Sequence, residues 1–342
     1  MACVHGGFSI SYRFGELMKK KEMDIDLVYL WVDGSDPEWL AKKNSYLPAD
    51  RQLPPDVAGT CRYVENDELR YSLRSAERFA PWIRRIFIVT DDQTPRWLDT
   101  ENPRVQVVFH RDFIPAEVLP LFNSAALEWF LPDIPGLSEH FLYANDDMFF
   151  GAPVDPGFFF EESSGLPIAR LKRQRLKKHD EDIYCHKILC MQQLVRARFG
   201  RCTSLAPHHN VDAYLRADFL KCRETFRNEM PLVANRFRAD EDWQRSLALY
   251  YSLAMHRAIL RKVNRYNKVH GLSGYLHSFL GKRCGSDSRC IPAYTQDLQG
   301  VMDKYAPSLF CLNDDPRVSD ADRRRIGQFL ETLFPGKSSF EK

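Results

Sequence analysis

The chain has 342 residues, 44% of them hydrophobic and 27% charged, with 48 Lys and Arg set against 46 Asp and Glu. That length holds one large or two medium domains with a sizeable core, and the ordinary balance excludes a disordered or low-complexity chain. A net charge of +2 gives no reason to expect nucleic acid, and no apolar run reaches the length of a membrane-spanning helix.

Residues 1–23 read as a variable leader ending on Lys19-Lys20-Lys21, without the continuous apolar stretch of a secretory signal. Asp26 to Val32 is predicted as a buried strand, stopped by the turn residues Asp33-Gly34-Ser35-Asp36-Pro37. Beyond a short helix and a Pro-rich loop, Asn66 to Ala80 has Leu69, Leu73, Ala76 and Ala80 at helical spacing. Tyr71 and Ser72 fall off that face, and Asn66 or Asp67 is the expected N-cap. Arg84 to Thr90 and Val105 to Phe109 read as strands, and Ser124 to Phe130 as a helix. Phe141 to Ala144 reads as a buried strand running into Asn145-Asp146-Asp147, with Gly151 a few residues on to let the chain turn.

Strands alternating with helices predict an α/β fold with a mostly parallel, Rossmann-like sheet. Ligands of such sheets bind beyond the carboxyl ends of the strands, which puts Asp33, Asp91-Asp92 and Asp146-Asp147 along one rim. Neither a glycine-rich dinucleotide fingerprint nor a P-loop is present. From residue 161 the chain is expected to be mainly helical. Helices are predicted from Ile183 to Phe199, Asp212 to Glu229 and Glu241 to Arg261. A closing amphipathic helix from Asp320 to Leu333 would turn Ile326, Phe329, Leu330 and Leu333 inward. Just before it a second apolar run ends in Asn313-Asp314-Asp315.

Carboxylates at the end of a buried strand are costly unless a cation sits beside them. Mg²⁺ or Mn²⁺ suits oxygen ligands and leaves positions open for phosphate oxygens. From Asn145-Asp146-Asp147 alone, an exposed acidic turn is an equally open reading. Arg170 to Lys178 carries six positive charges and Arg257 to Lys268 five. Each is either a solvated face or a patch for a polyanion or membrane surface. The nine cysteines are scattered, without a CxxC pair, which suits free thiols in a reducing cytosol. Cys284 and Cys290 bracket a short polar loop and would bridge only if oxidised.

Taken together, Asp26 to Pro37 resembles the first conserved region of the Stealth family of sugar-1-phosphate transferases. That family includes bacterial capsular polysaccharide phosphotransferases and the α/β subunit of the lysosomal-enzyme N-acetylglucosamine-1-phosphotransferase. Glu68 to Ser75, Ile86 to Thr90, Asn102 to Val105 and Asn145-Asp146-Asp147 resemble the second region in order. Pro207-His208-His209 with Arg238 to Asp242 resembles the third. Cys311 to Asp315, with the last helix ending Leu333-Phe334-Pro335, resembles the fourth. The resemblance implies one catalytic domain over residues 24–335. Its α/β part, 24–160, would carry the nucleotide sugar and metal, 161–335 would complete the site, and 336–342 would be a tail.

The resemblance further implies transfer of a hexose-1-phosphate, most simply from UDP-N-acetylhexosamine, to a hydroxyl of a glycan or lipid-linked oligosaccharide, with UMP leaving. A cytoplasmic enzyme, peripheral at the membrane, is then expected. Asp146 and Asp147, with Asn313 or Asp314, would hold Mg²⁺ or Mn²⁺. Arg238 and Arg70, with Arg74 nearby, would clamp phosphate oxygens. His208 or His209 would be the general base; the family pattern of His, variable residue, Pro is replaced here by Pro207-His208-His209-Asn210, so the register leaves both open, with His179 and His186 as alternatives. Asp33, Gly34, Asn145, Glu241 and Asp242 are further candidates for binding substrate, with a helix N-terminus the plainer role for the last two. Asp36 reads more readily as turn chemistry. Two other readings are an ordinary metal-dependent glycosyltransferase, which would release UDP, and a non-catalytic glycan-binding partner.

Overall fold

A computed structural model of the chain describes residues 23–48, 63–175, 183–229, 235–239, 242–263 and 286–342. In chain order its elements begin with β1 (Ile25–Leu30), α1 (Pro37–Ser45), α2 (Glu68–Phe79), β2 (Ile86–Thr90), β3 (Val105–Phe109), α3 (Ser124–Trp129), β4 (His140–Asn145) and β5 (Met148–Phe150). They continue with β6 (Ile168–Arg175), α4 (Ile183–Phe199), β7 (Leu205–Pro207), β8 (Asp212–Leu215), α5 (Arg216–Thr225), α6 (Ser246–Ala254) and β9 (Ile259–Lys262). The last are β10 (Ser288–Pro292), α7 (Leu298–Tyr305), β11 (Leu309–Asn313) and α8 (Asp320–Leu333).

The α/β architecture expected from the alternating elements is present. The main sheet has the order β3-β2-β1-β4-β8, parallel except for β8, which runs antiparallel on β4. Every residue of β1 is buried, which is what a near-continuous apolar run requires of a strand covered on both faces. On one face Val28, Phe87, Phe141 and Tyr143 pack against Ile188, Met191 and Val195 of α4 and Leu247 of α6. On the other, Leu27, Tyr29, Ile88 and Leu142 pack against Leu69, Leu73 and Ala76 of α2. Asp26, fully buried in β1, is balanced by Arg84, whose Nε and Nη2 reach its two oxygens at 2.9 and 2.6 Å.

Two smaller sheets complete the site. One has the order β10-β11-β5, with β11 antiparallel to β5; the other is β7-β6-β9. Only Asp146 and Asp147 separate β4, in the main sheet, from β5, in the small one. The acidic dipeptide is therefore the crossing from one sheet to the next. Gly151, just after β5, serves close approach rather than a turn: a Cβ there would lie 2.3 Å from the Pro307 carbonyl oxygen.

Several expectations are corrected by tertiary structure. α2 is not one-sided: Tyr71 and Ser72 are buried, because α2 is wedged between the main sheet and β5. The Ser72 hydroxyl bonds to Tyr29 Oη and the Met148 carbonyl, and Ser75 Oγ accepts from Phe150 N at 3.0 Å. Asp67, at the N-cap position of α2, makes no side-chain capping bond. The predicted helix from Asp212 to Glu229 begins as strand β8, and that from Glu241 to Arg261 is α6 followed by β9. Among the described residues the second half thus carries six strands, β6 to β11, as well as helices. Residues 336–342 are no free tail. Phe340 is fully buried, and the Glu341 carboxylate, 1% exposed, bonds to Arg70 and Arg74. No helix among the described residues is long and apolar enough to cross a membrane.

Candidate active site

A cleft of about 740 Å³ opens where the carboxyl ends of the parallel strands meet the small sheet. Register explains its contents. Leu30, the last residue of β1, pairs with Asn145, the last of β4, so Asp146 and Asp147 project beyond the sheet. Met148 pairs with Cys311, and Leu312 N donates to Asp147 O at 3.0 Å. Antiparallel pairing of β5 with β11 therefore sets the first Asn-Asp-Asp against the second. Asn145, Asp146, Asp147, Asn313 and Asp314 all line the cleft.

This cluster is electrostatically strained as it stands. Burial, then Asp147, Glu68 and Glu65, push the Asp146 carboxyl well above the usual range. Burial also raises Asp147 to about 6, with Asp314 adding to the rise and Cys311 and Arg245 opposing it. Glu68, raised by burial to about 7, and Glu65, raised to about 8, belong to the same cluster. Among the described residues Asp147 Oδ1 is shut off from solvent and has no hydrogen-bond partner. A buried carboxylate oxygen left unpaired among like charges is the environment a divalent cation relieves. The residues present thus fit Mg²⁺ or Mn²⁺, hard cations that take carboxylate and amide oxygens. Asp314 also receives Arg323 Nε from α8 at 3.1 Å, which holds it in place.

The histidine pair divides. His208 is 3% exposed and locked, with Nε2 2.8 Å from Asp212 Oδ1 and Nδ1 3.0 Å from Ser288 Oγ. His209, in the left-handed region at φ 54, turns the other way and lines the cleft, edge-on to Tyr184. Burial, with Arg245 and Lys172, lowers His209 to about 3, so its ring is neutral near pH 7. His186 does not line the cleft, and His179 lies outside the described residues.

Arg238 lines the cleft, with Nη2 2.7 Å from Ser124 Oγ. Arg70 and Arg74 do not: Arg70 Nε lies 2.6 Å from Glu341, and Arg74 bonds to Glu341, Glu331 and the Phe334 carbonyl. Their charge is spent on the C-terminal residues, so the phosphate-clamp expectation for both is withdrawn. Asp242 is also committed internally, accepting from Asn123 Nδ2 (2.8 Å), Lys187 Nζ (3.1 Å), Asn235 Nδ2 (2.8 Å) and Ala239 N (2.7 Å). It shapes the loop that carries Arg238 rather than meeting a ligand. Glu241 lies outside the described residues.

The Asp33 carboxylate closes on its own turn, accepting from Ser35 N and Oγ at 2.9 and 2.6 Å. Asp36 caps α1. Gly34 acts by its size: a Cβ would lie 2.2 Å from the Tyr63 carbonyl oxygen, and Tyr63 forms an aromatic wall of the cleft with Trp39 and Phe122. Asp91 does reach the cleft, held by Lys42 Nζ at 2.7 Å. Of the basic runs, Lys172 lines the cleft, whereas Arg170 is buried over the Phe158 ring; residues 176–178 and 264–268 lie outside the described residues.

Sequence reasoning passed over the groups that hold the floor of the cleft. Arg245 Nη1 lies 2.6 Å from Glu128 Oε1, its Nε 3.4 Å from Asp212 Oδ2, and its guanidinium stacks 4.5 Å from the Tyr143 ring. Tyr143 Oη is 3.0 Å from Glu128 Oε1 and 2.6 Å from Asn145 Oδ1. This buried network fixes Asn145 and aims a positive field at Asp147. No local pattern marks Glu128 or Arg245. Glu68, by contrast, heads the segment from Glu68 to Ser75, and Glu65 three residues before it is a readable signal.

Two family models and several curated proteins match the chain. Residues 23–51 match the model of Stealth protein CR1, conserved region 1, and residues 62–167 that of Stealth protein CR2, conserved region 2. An exopolysaccharide phosphotransferase from Streptomyces coelicolor is 33% identical over 333 residues, covering 94% of this chain and 52% of the relative. The exopolysaccharide phosphotransferase CpsY of Mycobacterium tuberculosis is 34% identical over 334 residues, covering 93% and 58%. The exopolysaccharide phosphotransferase of Nocardia farcinica is 35% identical over 332 residues, covering 93% and 61%. The chain thus spans between about half and three fifths of the length of these three relatives. A crystal structure of the galactosyltransferase LgtC aligns over 92% of this chain and 96% of its own at 12% identity with a TM-score of 0.39. Two conserved regions of the Stealth family thus match, the second spanning the acidic crossing, and exopolysaccharide phosphotransferases match along almost the whole chain, so the chain is similar to that family.

Proposed function

We propose that the chain transfers a hexose-1-phosphate from a UDP-sugar to a hydroxyl of a glycan, releasing UMP and leaving a phosphodiester. The observation that carries this reading is the pairing of the two Asn-Asp-Asp segments around the partnerless Asp147 Oδ1. The names of the relatives, exopolysaccharide phosphotransferases, support phosphoryl transfer over glycosyl transfer.

Asp146 and Asp147, with Asn313 or Asp314, would hold Mg²⁺ or Mn²⁺, which when bound supplies charge neutralisation for the pyrophosphate and the departing UMP. The wall of Trp39, Tyr63 and Phe122 offers the uracil apolar ring surface. Arg238, one of the guanidiniums lining the cleft, takes phosphate oxygens, and Lys172 adds positive charge. His209, neutral and facing the cleft, accepts the acceptor hydroxyl's proton at a ring nitrogen as that oxygen attacks the sugar-bearing phosphorus. The P–O bond to UMP breaks. The sugar C1–O bond stays intact, so anomeric configuration is retained. An N-acetylhexosamine donor, a glycan or lipid-linked acceptor and a membrane-peripheral location are the finer parts of the proposal.

The test incubates the chain with Mg²⁺, a panel of UDP-sugars and acceptor glycan, and separates the nucleotides. UMP release with a phosphodiester signal in phosphorus NMR is expected. UDP as the nucleotide product would establish the glycosyltransferase reading instead.

A further inference from the structure

Beside the carboxylates lies a second donor set of different chemistry. Cys290 on β10 and Cys311 on β11 are paired in register on adjacent parallel strands. The two Sγ atoms and a ring nitrogen of His209 lie within 4.8 Å of one another. Cys311 Sγ is also 3.3 Å from Asp147 Oδ2, the oxygen opposite the partnerless Oδ1. In a tetrahedral zinc site, S, N and O donors lie about 3.3–3.8 Å apart. A small contraction brings the two sulfurs and the ring nitrogen to that spacing, and Asp147 Oδ2 stands beside one of them.

The backbone holds them there. His208 and Asn210, on either side of His209, each bind β10 next to Cys290: His208 through Ser288 Oγ at 3.0 Å, Asn210 through the Arg289 carbonyl at 3.3 Å. Asp147 is clamped to β11 by the bond from Leu312 N. Cys290 and His209 face the cleft, so an ion has a path in. Two thiolates and an imidazole favour a soft or borderline cation over Mg²⁺.

We propose that Cys290, Cys311, His209 and Asp147 Oδ2 form a site for Zn²⁺ or a cation of its class, distinct in chemistry from the carboxylate site, and that its occupancy stops transfer. Binding displaces the two thiol protons to solvent and ties up a His209 nitrogen and one Asp147 oxygen. The inhibitory part rests on the proposed roles of those two residues; the binding part does not.

The experiment uses the full chain, chelator-stripped and reduced, titrated with Co²⁺ in excess Mg²⁺. Thiolate-to-cobalt charge-transfer absorption and the intense visible bands of tetrahedral cobalt are expected, saturating at one equivalent and displaced by Zn²⁺. Cys290→Ser should abolish the charge-transfer band, keep the parental melting temperature and keep UMP release in zinc-free buffer. It should raise the zinc concentration for half-inhibition by more than the about 10–100-fold that losing an outer-shell partner costs. Absence of the band in the parent chain overturns the site, and so does equal zinc sensitivity of Cys290→Ser. A normal band in a chain that turns over no UDP-sugar would instead overturn the proposed function and leave the site standing.

Discussion

Glu341→Gln separates two readings of Arg70 and Arg74. In the structure both guanidiniums close on Glu341: Arg70 Nε at 2.6 Å, Arg74 Nε at 2.7 Å and Arg74 Nη2 at 2.9 Å, with Ser338 N adding 2.9 Å. Burial alone would raise the carboxyl, but the bonds from Arg74, Ser338 and Arg70 outweigh it and hold it at about 2, against an ordinary 4.5. That depression is worth about 3 kcal/mol of folding free energy at neutral pH, in line with about 3–5 kcal/mol for breaking a buried pair. At about 2.1 cal/mol/K of unfolding entropy per residue, a chain of 342 residues should lose about 4 °C in melting temperature. The sign with pH follows from a depressed acid: the contribution is full above 4.5 and fades as pH falls towards 2. The parent should therefore destabilise between pH 4.5 and 3 more steeply than Glu341→Gln. The assay is thermal unfolding by circular dichroism from pH 3 to 7, together with donor KM at a temperature well below both transitions. An unchanged melting temperature at pH 7, or a donor KM raised tenfold with stability intact, would refute the reading of Arg70 and Arg74 as a C-terminal latch.

Other outcomes test the cleft. Asp147→Asn should abolish UMP release while raising the stability of the chelated protein, because it removes one of several crowded carboxylates; Mg²⁺ should raise the melting temperature of the parent and not of the variant. His209→Ala should lower kcat roughly 10²–10⁴-fold with an unchanged melting curve, whereas His208→Ala should lower the melting temperature by freeing Asp212 and Ser288; the reverse assignment of the two effects would show that the wrong histidine faces substrate. Arg245→Met should cost roughly 3–5 kcal/mol in denaturant unfolding, since Glu128 would stay buried without its cation. Gly34→Ala should raise donor KM by displacing Tyr63, measurable as weaker UMP inhibition.

What the sequence disclosed and what it withheld follow from interaction range. α4 and α8 fall where their apolar spacing put them, because a helix is specified by neighbours three and four residues away. β1, β2 and β4 were legible as uninterrupted apolar runs. Asp212 to Leu215 looked helical because four residues are too few to display a period, and pairing with β4 decides their state. Arg70 and Arg74 were misassigned for a related reason: Glu341, the partner that consumes them, is 271 and 267 positions away. The two Asn-Asp-Asp segments were both visible, but their meeting depends on the antiparallel pairing of β5 with β11, which neither segment encodes alone. Glu128 and Arg245 had no motif to announce them, since a buried ion pair needs only two residues and a shape.

The crossing at Asp146-Asp147 bears on how the protein comes into being. The first acidic segment leaves the ribosome well before the second, since 164 positions separate Asp147 from Cys311 of β11. Until that strand pairs with β5, the first acidic segment has no second one to face. On the proposed function, the growing polypeptide is silent towards its donor until β11 has emerged. A message cut short before Asn313 should yield an inert product rather than a weakened transferase.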